Sequence, residues 1–147
     1  MIRGYFGGPI GRLRPCVIAQ LTLPALGLAG TVHFLVDTGA DSTLLAPRDA
    51  PTFGVDLDRL PQDTPSTGVG GRTPMVSTAA RLVLETHTLT ISLRILAPTG
   101  RYQQHLVRTI PSLLGRDILA HFALFVDQRT QRVLLLEPHE ADALPLP

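Results

Sequence analysis

Asp37 stands directly after the apolar run Phe34-Leu35-Val36 and directly before Thr38-Gly39, with Ala40-Asp41-Ser42-Thr43 following. Three large residues of strand propensity bury themselves, so such a strand ends by delivering a carboxylate to the edge of a core. Gly39 can take backbone angles closed to other residues, which lets the turn aim main-chain N–H groups at that carboxylate. Thr38 adds a hydroxyl that both donates and accepts. A carboxyl group placed in this way can take up and release a proton at the rim of a fold. The plainer reading is a strand followed by a loop, with Asp37 closing an Asx-turn. These ten residues do not separate the two.

The other reactive side chains exclude several chemistries. His33, His87, His105, His121 and His139 are scattered without an H-x-x-x-H pairing, so no zinc site and no metal is expected. All thirteen basic residues are arginine, which removes every mechanism that needs a Schiff-base or phosphate-loop lysine. An aspartyl-phosphate enzyme would also want an acid at a strand-to-loop position, but it needs a companion lysine and βαβ alternation. Gly68-Val69-Gly70-Gly71 lacks the third glycine of a nucleotide loop, since Thr73 stands there, and no helical pattern follows. Cys16 is alone, which rules out an internal disulfide. Between Pro15 and Val17 it reads as a small buried apolar residue.

The elements that must position Asp37 belong to a chain of 147 residues, enough for one domain with a real core. Apolar residues make up 44% and charged residues 17%, the balance of a folded globule. A net charge of +1 predicts no attraction to nucleic acid or anionic membrane. No signal-peptide run opens the chain and no stretch approaches ~18 uninterrupted apolar residues. A soluble, cytoplasmic protein is expected, and the exclusive use of arginine points to a bacterial source.

Residues 1–12 are glycine-rich and read as a loose arm. Residues 16–23 and 31–37 read as strands joined into a hairpin. Pro47 opens a short helical turn, and 52–65 is polar and turn-rich. Two further strands cover about 76–84 and 89–96, where Thr88, Thr90 and Ser92 alternate with Leu89, Ile91 and Leu93. A short helix is expected over 117–121. A closing hairpin of 123–126 and 132–136 follows, and its Leu134-Leu135-Leu136 run invites association through an exposed strand. Residues 138–147 read as a disordered tail. The whole is a mainly β domain over 1–137, with no internal repeat.

Three segments, in order, resemble the retropepsins, the retroviral-type aspartic proteases and their bacterial and cellular relatives. They are Asp37-Thr38-Gly39-Ala40-Asp41, Gly68-Val69-Gly70-Gly71 and Leu113-Leu114-Gly115-Arg116-Asp117. The resemblance implies a closed β-barrel of the acid-protease fold, one lobe per chain, with a short helix late in the chain. It implies an aspartic endopeptidase without cofactor. Asp37 would be the catalytic acid, Thr38 would brace the loop across to a second subunit, and Gly39 would present its backbone to carboxylate and substrate. Ala40 and Asp41, with Gly68, Val69, Gly70 and Gly71 of a flap, would line the substrate. Leu113, Leu114, Gly115 and Arg116 would support the loop from beneath, with Arg116 paired to Asp41.

In that family two carboxylates share a proton and activate a water. This chain has one Asp-Thr-Gly, so the second must come from another copy across a two-fold axis. A homodimer and a polypeptide substrate follow. Arg72 replaces a large apolar residue common in retroviral flaps, which leaves substrate preference open. Ala40 replaces the Ser or Thr of pepsin-type enzymes, whose hydroxyl stabilises the ionised pair, so activity is expected at mildly rather than strongly acidic pH. The alternative is a catalytically silent dimeric module of the same fold that binds peptides without cutting them.

Overall fold

A computed structural model describes residues 1–56, 66–68, 71–73, 75–96 and 109–146. Strand β3 (Arg14–Leu23) alternates, with Val17, Ala19, Leu21 and Leu23 buried and Ile18 and Gln20 outward. It turns through a 3-10 element at Pro24–Leu26, closed by Gly27 at φ 63°, into β4 (Leu28–Val36). The pair runs antiparallel from Leu23↔Leu28 to Cys16↔Leu35. A second long pair, β8 (Met75–Leu84) and β9 (His87–Leu96), has the same period-2 logic.

Short elements complete the frame: β1 (Ile2–Arg3), β2 (Tyr5–Gly7), β5 (Leu44–Leu45), α1 (Ala50–Phe53), β6 (Ser66–Gly68), β7 (Gly71–Thr73), β10 (Leu113–Leu114) and α2 (Arg116–Leu119). The chain ends in β11 (Ala123–Asp127), β12 (Arg132–Leu136) and α3 (Pro138–Asp142). One sheet runs β2-β3-β4-β10-β5-β9-β8, and β8 also pairs with β3. That last pairing closes the sheet on itself, so its inner faces form one core around Phe34, Leu45, Leu82, Leu93, Ile95 and Leu114. The architecture is a mainly β, closed barrel with one lobe per chain, as expected. Among the described residues no helix is long and apolar enough to cross a membrane.

Three local expectations are corrected. The arm over 1–12 is not loose in its first half: Ile2 is buried in the core, and β1 pairs with β12 while β2 pairs with β3. The tail over 138–147 is not disordered throughout. Glu137 and Glu140 form a reciprocal capping box and Pro138 opens the helix, so α3 forms over five residues. The Leu134-Leu135-Leu136 run is not an exposed edge either. It lies between β1 and β11, with Leu135 and Leu136 buried. Among the described residues the outer side of β11 carries no strand, and Phe125 and Val126 there are each 40% exposed.

Candidate active site

The site is built where β4 ends. The chain leaves β4 at Val36, loops, and returns as β5, and β10 fills the gap between them. Leu113 and Leu114 run parallel to Leu35 and Val36, and Leu113 faces Leu44 antiparallel. The Leu35 N–H donates to the Ser112 carbonyl at 2.8 Å and the Asp37 N–H to the Leu114 carbonyl at 3.1 Å. Both shoulders of the loop are therefore fastened to one two-residue strand, whose Leu114 is buried in the core.

Within the loop, the Ala40 N–H donates to the Asp37 carbonyl at 3.2 Å and closes a turn. The turn brings the Gly39 N–H to Asp37 Oδ1 at 2.9 Å. Asp37 is half-buried, while Thr38 and Gly39 are exposed. A carboxylate reachable from one side and held by a main-chain donor on the other has its orientation fixed without losing its reactivity. This is also the hydrogen bond of an Asx-turn, so the plainer reading and the chemical one share a geometry.

Gly115 and α2 lock the loop from below. The Arg116 N–H donates to the Ala40 carbonyl at 2.8 Å and the Asp117 N–H to the Asp41 carbonyl at 3.2 Å. Gly115 lies so close beneath that a Cβ there would meet Ser42 backbone atoms at 2.5 to 2.9 Å. Arg116 pairs with Asp41, as the resemblance implied, and its guanidinium also reaches the Thr38 carbonyl at 3.4 Å. The two side chains are 58% and 79% exposed, so the pair sits in solvent at the mouth of the loop.

Sequence reasoning missed the roles of four supporting residues, Thr43, Asp117, Ser112 and Asp49. Buried Thr43 gives its hydroxyl to Asp117 Oδ1 at 2.7 Å and its N–H to Oδ2 at 2.9 Å, and the same hydroxyl accepts from the Gly115 N–H at 3.1 Å. Buried Ser112 donates to Asp49 at 2.6 Å and accepts from the Ala46 N–H at 2.9 Å. The available signal was position alone: each polar residue abuts one of the three motifs, or the helical turn that follows the first.

Of the glycine-rich segment, Gly68 and Gly71 close an antiparallel pairing that starts at Ser66↔Thr73, while Val69 and Gly70 lie outside the described residues. Cys16 is half-buried, with its thiol directed at the Arg14 carbonyl at 3.4 Å. Burial is the leading influence on that thiol and pushes its pKa up, away from the thiolate a nucleophile needs.

An aspartyl protease family model matches residues 26–118, which span the loop, the glycine-rich segment and most of α2. No curated protein sequence matches the chain. Among solved structures, a retropepsin-like aspartic protease from Rickettsia conorii superposes with a TM-score of 0.58 at 20% identity, covering 82% of this chain and 89% of the other. The EIAV protease, in complex with the inhibitor HBY-793, superposes at 0.51 with 21% identity, covering 78% and 91%. At these identities the structures speak for the fold, and the family match speaks for the lineage. The chain belongs to the aspartyl protease family and has its retropepsin-like fold.

Proposed function

We propose that the protein is an aspartic endopeptidase that works as a homodimer, each copy supplying one Asp37. One observation carries the reading. A core strand delivers Asp37 to a turn whose Gly39 N–H holds its carboxylate at 2.9 Å, and the sequence contains no second Asp-Thr-Gly. Two such turns related by a two-fold axis would face their carboxylates at one another. Groups that close cannot both ionise, so they share a proton. The ionised one takes a proton from water as the oxygen attacks the scissile carbonyl, and the protonated one donates to the carbonyl oxygen. Collapse of the tetrahedral species returns that proton, and the leaving nitrogen takes the other.

Around this centre, Thr38 braces the paired loops, and Ala40 and Asp41 flank an extended substrate held by main-chain hydrogen bonds. The hairpin that carries Gly68, Val69, Gly70 and Gly71 acts as a flap and excludes water during reaction. Association runs through the outer side of β11, where among the described residues no strand pairs with its N–H and C=O groups beside Phe125 and Val126. Val126→Lys should weaken the dimer in sedimentation experiments without altering the monomer's fold.

The decisive test incubates the protein and its D37N variant with a denatured protein mixture. Cleavage by the first alone, blocked by a statine-type transition-state mimic, supports the reading. Binding of peptides with no cleavage at any pH would replace it with a silent peptide-binding module. Full activity in D37N would end it.

A further inference from the structure

The hairpin loop between β2 and β3 has no role in the chemistry above, yet register places it at the same end of the barrel as Asp37. The β3–β4 pairing stops at Cys16↔Leu35, while β2 and β3 go on pairing through Phe6↔Pro15 to Gly7↔Arg14. Those two extra steps run in the direction that β4 takes through Val36 to Asp37, and continuing the register sets Arg14 level with Asp37. At roughly 3.3 Å per residue the hairpin extends about 7 Å past the last shared pair, and residues 8–13 reach further still.

The loop has a defined form. The Arg12 N–H donates to the Pro9 carbonyl at 2.9 Å, and Gly8 and Gly11 take φ of 119° and 80°, which side-chain-bearing residues resist. At its tip Ile10 is 102% exposed, the most exposed large apolar side chain among the described residues. Arg12 is exposed as well and has no acidic partner among the described residues. A shaped turn that holds an apolar tip and an unpaired guanidinium beyond the end of the Asp37 strand has the chemistry to receive an extended chain with an apolar and an acidic side chain.

We propose that residues 8–13 form one wall of the peptide cleft and select substrates that carry an acidic side chain beside an apolar one. This rests on the peptidase reading of the Asp37 loop and names its substrate class. Ile10 and Arg12 are the specificity-determining residues, and neither touches the reacting atoms.

The test uses two dodecapeptide pools that share randomised apolar positions, with glutamate as the charged residue in one and lysine in the other. Wild type, I10S, R12E and a variant with residues 8–13 replaced by Asn-Gly are compared for kcat/KM, thermal stability and dimer mass. Wild type should prefer the glutamate pool, R12E should lower its cleavage about fivefold or more and raise that of the lysine pool, and I10S should raise KM for both. Folding and dimer mass should hold in all variants. An unchanged glutamate-to-lysine ratio in R12E and in the shortened loop would overturn the proposal. So would loss of the dimer in either, which would make the loop an association element. Peptide binding to D37N and to D37N/R12E separates the two ideas if no pool is cut. A glutamate preference that R12E abolishes supports the loop while the peptidase reading falls, and equal binding of both pools overturns the loop as well.

Discussion

Thr43 and Asp117 are 74 residues apart in sequence and meet by two hydrogen bonds, hydroxyl to Oδ1 at 2.7 Å and N–H to Oδ2 at 2.9 Å. The Ile118 N–H adds a third at 2.9 Å. The carboxylate thus binds the far shoulder of the Asp37 loop to the first turn of α2. Thr43→Val keeps the shape and removes the hydroxyl, leaving Asp117 Oδ1 one donor short and the buried Gly115 N–H unpaired. Stability should fall by about 1–3 kcal/mol, read as a drop of several degrees in Tm, and activity should fall with it.

Gly115→Ala tests the closeness of β10 and α2 to the loop. The new methyl would sit against Ser42 backbone atoms, which cannot swing aside as a side chain could. Relief requires the loop to lift, at a cost of about 1–3 kcal/mol. The variant should lose stability and proteolysis together in a thermal melt and a peptide-cleavage assay.

Arg116→Ala should separate those two readouts. Its pair with Asp41 lies in solvent, where such contacts contribute under ~1 kcal/mol, so Tm should hardly move. The same guanidinium also ties the Thr38 carbonyl, and releasing it frees the residue beside Asp37. With geometry at the reacting carboxylate loosened, kcat/KM should drop by about tenfold or more. An unchanged kcat/KM would reduce the pair to a surface contact.

Acid stability should depend on Asp127 in the turn between β11 and β12. The Thr130 hydroxyl at 2.7 Å, then N–H groups of Thr130 and Arg129 and the Arg129 guanidinium, hold its carboxyl below the ordinary value of 3.8. A carboxyl lowered in the folded state stabilises the protein above the unfolded-state value, and that contribution disappears as pH falls through the lower, folded one. Urea denaturation at a series of pH values should find D127N less stable than wild type at neutral pH. The gap should close below about pH 3.8.

Much of the barrel was legible because burial imposes a period of two on β3, β8 and β9. The order of three short motifs was enough to indicate the fold. What could not be read depends on partners far along the chain. β1 is two residues long and forms only because β12, some 130 residues later, lies beside it. The Thr43–Asp117 and Ser112–Asp49 contacts join residues that no local pattern connects. Gly30 misled in a different way. It falls just before the strand expected over 31–37, yet it lies inside β4, where a Cβ would meet the Phe53 ring at 2.9 Å. The glycine makes room for α1 instead of bending the strand.

The threading of β10 between β4 and β5 also constrains the order of biosynthesis. Asp37 leaves the ribosome early, but the backbone acceptor for its N–H belongs to Leu114, and the support under Ala40 and Asp41 comes from Arg116 and Asp117. A nascent chain that has emerged only through β9 can close β3 against β4 and β8 while still lacking the cradle of its acid. Under the proposed chemistry, a polypeptide still in synthesis is therefore harmless to its neighbours, and competence arrives with its last third.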